Sequence, residues 1–240
     1  MERFSLAKDD DRYRLYVSYV DPADNRWRID YLEAQSPERF DGSKLHPALS
    51  ASEVSQASRE RIEGVKDPWV FRVRTTWYML ISYAVARPGS QPESMHASAD
   101  AYNTGLISAP TALAKSTDGR TWQWKGRILD PGATGAWDSY QSRLNSIVPV
   151  SRGWLGFYDG SQSEAENYEE RCGLAISSDL YNWTRLTPHG PAFESGHASY
   201  SLRYVEAVRH EDMLICYFEV TRADGAHELR RMAIPFGDSA

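Results

Sequence analysis

The chain has 240 residues, of which 41% are hydrophobic, with 27 basic against 33 acidic side chains and a formal net charge of −6. This composition excludes the fibrous, collagen-like and disordered classes of protein. The acidic balance argues against nucleic-acid binding, because such proteins present clustered positive charge to phosphates.

Four predicted β-hairpins follow one another along the chain at similar intervals. Each joins two short runs of apolar, β-branched and aromatic residues through a polar turn, as antiparallel strand pairs do. The second strands of the hairpins are predicted over Arg14–Tyr19, Tyr78–Tyr83, Trp154–Tyr158 and Met213–Tyr217. The interval between the first and second hairpins contains the main helix prediction, Ser50–Ile62.

A third strand-like segment follows each hairpin, and two of these segments share the pattern A-x-S-x-D-x-x-x-W. The pattern includes Asp118 and Trp122 in one copy, and Asp179 and Trp183 in the other. The aspartates are predicted to accept hydrogen bonds from turn amides, and the tryptophans to pack between modules. A fourth strand is predicted at Gln123–Leu129.

Repetition of whole antiparallel modules predicts an all-β fold, a β-propeller of four visible blades. The blades are predicted at about residues 1–49, 63–130, 141–190 and 200–240 of a single domain, 1–240. A two-sheet sandwich is the alternative, but its strands would not recur as hairpin-plus-turn modules. No run reaches the about 20 apolar residues that a membrane span needs.

Cys172 and Cys216 are predicted to be buried free thiols, since two cysteines at arbitrary spacing indicate neither a zinc site nor a redox pair. The N-terminal sequence has no apolar signal core, so we expect a cytoplasmic protein. The oligomeric state is not indicated.

The sequence resembles the five-bladed β-propeller glycoside hydrolases, the clan of arabinanases, β-xylosidases, invertases and levanases. The resemblance is carried by KDPWVF at Lys66–Phe71, by the following WYMLISY, and by the two A-x-S-x-D-x-x-x-W units. It implies a five-bladed ancestry with one blade missing, and a small saccharide or glycoside as ligand.

Four carboxylates are candidate catalytic residues. Asp67 matches the aspartate of the family's D-P motif, which orients the sugar and adjusts the pKa of the acid; we expect Pro68 to hold it in an extended conformation. Asp138 follows Trp137, an aromatic suited to a sugar's apolar face. Many family members carry the proton-donating glutamate where the third hairpin begins, but here SYQSRLNSIV has no carboxylate. The nearest replacements are Glu169 and Glu170.

The propeller topology predicts that loops entering each first strand, and loops joining second to third strands, open on one face. Polar and aromatic residues of these loops are candidates for substrate binding: His96, Asp100, Tyr102, Asn103, Trp137, Tyr140, Arg143, Asn167, Tyr168, Arg171, His197, Arg203, Arg222 and His227. Arg143 and Arg203 fall at the same level of successive hairpins, which favours an anionic group on the ligand.

Two functional hypotheses follow. In the first, Asp67 and one of Asp138, Glu169 or Glu170 flank a glycosidic bond, one as acid and one as carboxylate. In the second, the missing glutamate marks a non-catalytic carbohydrate- or anion-binding propeller, or an enzyme of different chemistry. No cofactor is predicted. The dispersed histidines do not indicate a metal site, and a structural cation in the central channel is left open.

Overall fold

The computed structural model of the chain describes residues 2–97 and 99–237. The strands are β1 (Glu2–Asp9), β2 (Arg12–Asp21), β3 (Arg26–Ala34), β4 (His46–Leu49), β5 (Ile62–Val73), β6 (Thr76–Ala86), β7 (Ile107–Ser108), β8 (Thr111–Ser116), β9 (Gln123–Leu129), β10 (Gln141–Val150), β11 (Gly153–Ser161), β12 (Arg171–Ser177), β13 (Thr184–Arg185), β14 (Leu202–His210), β15 (Met213–Thr221) and β16 (His227–Pro235). The helices are α1 (Ala51–Ser58) and α2 (Pro92–His96), with 3₁₀ turns at Ala101–Asn103 and Glu164–Glu166.

The strands form four antiparallel modules, each beginning with one of the predicted hairpins. Module 1 is β1–β4, module 2 is β5–β9, module 3 is β10–β13 and module 4 is β14–β16. The chain divides into two compact units: the first ends at Arg127 and the second begins at Ile128. We describe each unit by itself, and the single-domain arrangement stays a prediction.

The first unit contains module 1 and all of module 2 except the last two residues of β9. The two modules are linked through one parallel pair of residues between β3 and β5, Trp27 and Gly64. Its core includes Tyr16, Ile29, Val65 and Met79, all fully or almost fully buried. In the second unit, β10 to β13 form one sheet and β14 to β16 another. A separate set of apolar side chains from both sheets forms the core of that unit.

Helix α1 starts where the sequence predicts and ends earlier. Ser50 caps its N-terminus through a capping box with Glu53. Arg59 follows the helix in the left-handed conformation, with φ of 61°. The predicted helical end at Ile62 is wrong, because Ile62 already pairs with Val85 in the β5–β6 ladder.

The A-x-S-x-D-x-x-x-W segments turn the chain as predicted. Asp118 accepts the amides of residues 120 and 121, and Asp179 those of residues 181 and 182. Hydrogen bonds from the side chain and amide of Asn182, and from the amide of Tyr181, lower the pKa of Asp179 to about 2. Trp122 contacts Tyr16 of module 1 edge-on at 5.8 Å. Trp183 instead covers Gly156 of its own module, where an added Cβ would lie 2.7 Å from the indole.

Each module's first strand contains one extra residue at nearly the same distance from the hairpin turn. The pairing register shifts by one residue near Arg3, Asp67, Asn145 and Tyr204. Bulges of this kind bend a strand and redirect its side chains. The four modules therefore repeat a bulged first strand as well as a hairpin.

Hydrogen bonds between neighbouring modules also recur within each unit. Ser5 accepts the amide of Val70 at 2.9 Å, and Ser146 accepts the amide of Ala207 at 3.0 Å. Both serines are buried. These bonds satisfy backbone donors that the module ladders leave unused.

Cys172 and Cys216 are free and buried, as predicted. Both thiols belong to the core of the second unit. Burial raises the pKa of each thiol, which keeps them protonated and poorly nucleophilic. None of the helices in the described part of the chain has the length and apolarity to cross a membrane.

Candidate active site

Asp67 lies at the bulge of β5 and is fully buried. Its φ of 56° places it in the left-handed region, so the predicted extended conformation is wrong. The bulge explains the difference: Lys66 pairs with Ser82 and Trp69 with Leu80, leaving one residue more on β5 than on its partner. The Asp67 amide donates to the Ser18 hydroxyl oxygen at 3.4 Å.

Aromatic and acidic residues surround the Asp67 bulge. The Lys66 ammonium lies 4.2 Å from the centre of the Tyr102 ring and 5.0 Å from that of Trp27. Burial raises the pKa of the Tyr102 hydroxyl, Lys66 opposes the shift and Asp67 adds to it. Asp100 accepts hydrogen bonds from Trp27 Nε1 and from the Tyr102 amide.

Asp100 also accepts from Asn103 Nδ2 at 2.9 Å, so it stabilises the 3₁₀ turn that presents Tyr102. The structure thus brings Asp67, Tyr102, Asp100 and Asn103 into one neighbourhood of the first unit. Lys66 and Trp27, which sequence reasoning left out, belong to it as well.

His96 belongs to a different cluster of the first unit. Its Nε2 lies 2.6 Å from Glu63 Oε2 and its Nδ1 lies 3.3 Å from the Asn25 carbonyl oxygen. Arg26 and Arg61 also bind Glu63, which is almost fully buried. Burial would raise the pKa of Glu63, but these cationic partners lower it overall. Glu63 was not a sequence candidate.

Asp138 is a buried carboxylate of the second unit. Arg185 Nε donates to its Oδ2 at 2.6 Å and the Tyr158 hydroxyl at 3.1 Å. Trp137 stacks on Tyr158, with ring centres 5.6 Å apart, and its Nε1 donates to the Thr187 carbonyl oxygen. Within the second unit, Asp138 and Trp137 therefore stabilise the packing of module 3.

Glu170 is buried between two arginines in the second unit. Arg143 Nη2 lies 3.2 Å from its Oε1 and Arg203 Nη1 lies 3.0 Å from its Oε2. Gln141 Nε2 donates to Oε1 at 3.1 Å. Burial would raise the pKa of Glu170, but the guanidiniums of Arg143 and Arg203 outweigh burial and lower it. Glu170 is therefore ionised at neutral pH, which fits a fixed anion better than a proton donor.

The two arginines predicted to attract an anionic ligand are already paired with carboxylates of the protein. Arg143 Nη2 also contacts Asp159 Oδ2 at 2.7 Å, and Arg203 Nη2 contacts Glu219 Oε1 at 2.8 Å. The Tyr204 ring lies beneath both guanidiniums, with its centre 4.5 Å from the Cζ of Arg143 and 4.8 Å from that of Arg203. Sequence reasoning missed Asp159, Glu219 and Tyr204.

The hairpin registers reveal how these residues could have been found. Arg143 pairs with Asp159, and Arg203 with Glu219, across the first two strands of their modules. Aligning the repeats on their turns places both acids at the same position of the second strand. The signal is therefore a repeated cross-strand ion pair.

Glu169, His227 and Glu219 form the half-exposed end of this network. His227 Nδ1 lies 2.7 Å from Glu219 Oε1, and its Nε2 lies 3.1 Å from Glu169 Oε2. The Ser199 hydroxyl donates to the same Glu169 oxygen. Tyr168, 41% exposed, precedes Glu169 in the chain.

The remaining predicted substrate-binding residues lie outside the groups described above. Arg171 pairs with Glu166, and Arg222 with Asp224 on an exposed turn. Tyr140 and Asn167 are buried, and His197 is exposed. The described residues contain no group of three or more His, Cys, Asp or Glu side chains that could hold a metal ion.

The second unit therefore carries a continuous polar cluster, which we call the Glu170 cluster: Gln141, Arg143, Asp159, Tyr168, Glu169, Glu170, Arg203, Tyr204, Glu219 and His227. It combines an ionised buried carboxylate, two guanidiniums, an accessible aromatic ring and a histidine between two accessible carboxylates. Such a set can bind hydroxyl groups and transfer protons.

Several solved structures of carbohydrate-active enzymes share the fold of this chain. The β-1,2-mannobiose phosphorylase of Listeria innocua is 16% identical, with a TM-score of 0.63 over 97% of this chain and 57% of that chain. The β-fructofuranosidase of Bombyx mori is 15% identical, with a TM-score of 0.60 over 97% of this chain and 45% of that chain.

An exo-1,5-α-L-arabinanase from a bovine ruminal metagenomic library is 10% identical, with a TM-score of 0.57 over 96% of this chain and 69% of that chain. No protein-family model matches the chain, and no curated protein matches its sequence.

The chain thus has the all-β propeller fold that its repeats predicted. It shares this fold with propeller glycoside hydrolases, as the motif resemblance implied. It spans 57% and 45% of the first two solved chains described above. The TM-scores over almost the whole of this chain establish the shared fold. A fold of this kind hosts more than one reaction.

Proposed function

We propose that the protein is a carbohydrate-active enzyme of the glycoside hydrolase type and that a small saccharide binds at the Glu170 cluster. The observation that carries this proposal is the accessible row Glu169–His227–Glu219, backed by the ionised Glu170. The shared fold with enzymes that act on mannosides, fructosides and arabinans supports it.

The accessible groups suit the two requirements of glycoside cleavage. One carboxyl group must protonate the leaving oxygen, and a carboxylate must attack the anomeric carbon or activate water. Glu169 and Glu219 are both accessible, whereas Glu170 is enclosed by guanidiniums. The exposed side chain of Tyr168 offers apolar surface for a sugar ring. The role of Asp67 as an orienting carboxylate remains a prediction from the resemblance.

A panel of aryl glycosides tests the proposal. We expect turnover of at least one member among β-mannosides, β-fructofuranosides and α-arabinofuranosides, assayed with and without inorganic phosphate. For a glycoside with an unactivated leaving group, Glu169→Gln should reduce that turnover at least 100-fold, the lower range for a lost proton-transfer group. Glu164→Gln is the matched control, because Glu164 is an exposed acid nearby in the same loop.

Equal rates for the Glu169→Gln and Glu164→Gln variants would contradict the role of Glu169. An absence of turnover with the whole panel, together with an absence of saccharide binding, would contradict the function itself.

A second function, carbohydrate binding without catalysis, is favoured by one observation. The start of the third hairpin, where many family members carry the acid, holds Arg143 and Asn145 in β10. A saccharide that raises the melting temperature by occupying the folded state, without turnover during long incubation, would support this alternative.

A further inference from the structure

Both ring nitrogens of His227 face carboxylate oxygens. Nδ1 lies 2.7 Å from Glu219 Oε1 and Nε2 lies 3.1 Å from Glu169 Oε2. The three residues come from three separate stretches of the chain, namely β15, the loop before β12, and the start of β16. The imidazole is therefore held between two acids by the tertiary fold.

A neutral imidazole cannot satisfy both of these contacts. It has one N–H donor and one lone-pair acceptor, whereas an ionised carboxylate only accepts. If both acids were ionised and the ring were neutral, one lone pair of the ring would face a lone pair of a carboxylate. One additional proton removes the conflict, either as an imidazolium or as a protonated acid.

Glu219 does not carry the additional proton. Glu219 Oε1 accepts from Arg203 Nε at 3.0 Å and from Arg203 Nη2 at 2.8 Å. Burial would raise the pKa of Glu219, but Arg203 and His227 lower it overall. Glu219 is thus an ionised acceptor that orients the ring through Nδ1–H.

The Glu169 end has different partners. Among the described contacts, Glu169 Oε2 receives His227 Nε2 and the Ser199 hydroxyl, and no arginine reaches it. The charged and titratable groups that surround the ring are therefore Glu219 from β15, Glu169 from its loop, and Arg203 from β14 through Glu219. The contact between His227 Nε2 and Glu169 Oε2 is therefore the one that needs the additional proton.

We propose that the Glu219–His227–Glu169 row stores one transferable proton, and that Glu169 delivers it to the leaving oxygen of a glycoside. In this proton-delivery step Glu169 is the catalytic residue, and His227 and Glu219 are positioning residues. The identity of the proton acceptor rests on the proposed function. This assignment places an acid in the fold although the first strand of the third hairpin, β10, contains none.

The step balances as a hydrolysis. The proton leaves the row for the glycosidic oxygen, which keeps the electron pair of the breaking bond to the anomeric carbon. Water supplies the oxygen that bonds to that carbon, and the proton that water loses returns to the row. Because acid and base functions then fall on the same cluster, the resting protonation state is restored after each turnover.

Nuclear magnetic resonance of the ¹⁵N-labelled protein tests the stored proton without any substrate. Loss of signals in His227→Gln identifies the ring. At pH 7 we expect either protons on both ring nitrogens or a neutral Nδ1–H ring together with a carboxylic acid band in the infrared spectrum. That band should disappear in Glu169→Gln and persist in Glu164→Gln. A neutral ring with both carboxylates ionised would overturn the proposal.

The leaving-group dependence of cleavage tests delivery by Glu169. A proton donor matters most for basic leaving groups and least for activated phenols such as dinitrophenol. Glu169→Gln should therefore lose 100-fold or more with an alkyl glycoside and less than 10-fold with a dinitrophenyl glycoside. His227→Gln should show the same trend with a smaller loss. A loss that is equal for all leaving groups would overturn the assignment.

The two tests separate the possible failures. A protein that shows the stored proton but cleaves no glycoside contradicts the proposed function and the delivery step, whereas the protonation of the row stands. A protein that cleaves glycosides without the stored proton contradicts only the further inference.

Discussion

In both units a side chain of one module accepts a hydrogen bond from the backbone amide at the bulge of the next module, but the accepting side chain differs. In the first unit, the hydroxyl of Ser18 accepts the amide at the module 2 bulge, Asp67. In the second unit, the carboxylate of Asp159 accepts the amide at the module 4 bulge, Tyr204. The repeat therefore conserves the hydrogen bond between modules, while the acceptor changes from a hydroxyl to a charge.

The first-strand cations of modules 2, 3 and 4 that precede the bulges differ in the same way. Lys66 pairs with Ser82 and lies over aromatic rings. Arg143 pairs with Asp159, and Arg203 with Glu219. The comparison shows that one position of the repeat can serve packing in one unit and an ion network in the other.

The largest expected effect is the loss of a buried cation from the second unit. Arg143→Met would leave Asp159 and Glu170 buried without one of their partners. Breaking a buried ion pair in this way costs about 3–5 kcal/mol of the free energy of unfolding. Urea unfolding measures it. Arg222→Met, which removes an exposed arginine, should change stability by less than about 0.5 kcal/mol. Similar losses in both variants would contradict the importance of the network.

Lowering the pH should reduce the stability of the second unit, because Glu170 becomes protonated. Arg143 and Arg203 outweigh burial and make the pKa of Glu170 lower in the folded chain than in the unfolded chain. Its contribution is therefore complete above the unfolded value, about 4.3, and is lost as the pH falls through the lowered folded value. Between pH 7 and pH 3, the free energy of unfolding should decrease less in Glu170→Gln than in the unsubstituted protein. An unchanged pH dependence would contradict the linkage.

The serine hydrogen bonds between modules predict smaller changes in stability, which again differ between the two units. Ser146 is fully buried, accepts the Ala207 amide and donates to the Val205 carbonyl oxygen. Ser146→Ala should cost about 1–3 kcal/mol, because two buried backbone groups lose their partner. Ser5→Ala, which removes the acceptor of one amide, should cost about 1 kcal/mol. Denaturant unfolding decides the order, and a larger loss for Ser5→Ala would reverse the comparison.

The smallest expected effect is a change in the rate at which the two buried thiols are labelled. Cys172 and Cys216 are both in the second unit, and burial raises their pKa. An aromatic disulfide reagent should label them only when that unit opens, so labelling should accelerate in Arg143→Met. Labelling of the native protein at the rate of a free thiol would show that the core of this unit is not closed.

Much of the local fold could be predicted from sequence. The four hairpins, the strand Gln123–Leu129 and the aspartate turns at Asp118 and Asp179 are as expected. These features depend on alternation and on side chains that bond nearby amides, which are properties of contiguous residues.

The candidate site was less accessible to sequence reasoning. The left-handed conformation of Asp67 arises from a bulge that is defined by the partner strand, not by Asp67 itself. Glu219 and Asp159 were missed because their arginines lie on the neighbouring strand, sixteen residues away along the chain. His227 was predicted to bind substrate, and its position between two acids depends on a fold that brings distant segments together. The convergence of Asp67 with the carboxylates of the second unit stays a prediction.

Strand β16 is the outer strand of a three-stranded sheet, whereas the sheet of β10 to β13 has a fourth strand. Along the described part of the chain, its outward amides and carbonyls could pair with a strand of another molecule. Arg230 and Arg231 are exposed at the middle of this strand, next to Leu229, which is 76% exposed. Like charges at that position oppose the pairing of two identical edges, so we expect neutralisation of the two arginines to favour edge-to-edge association.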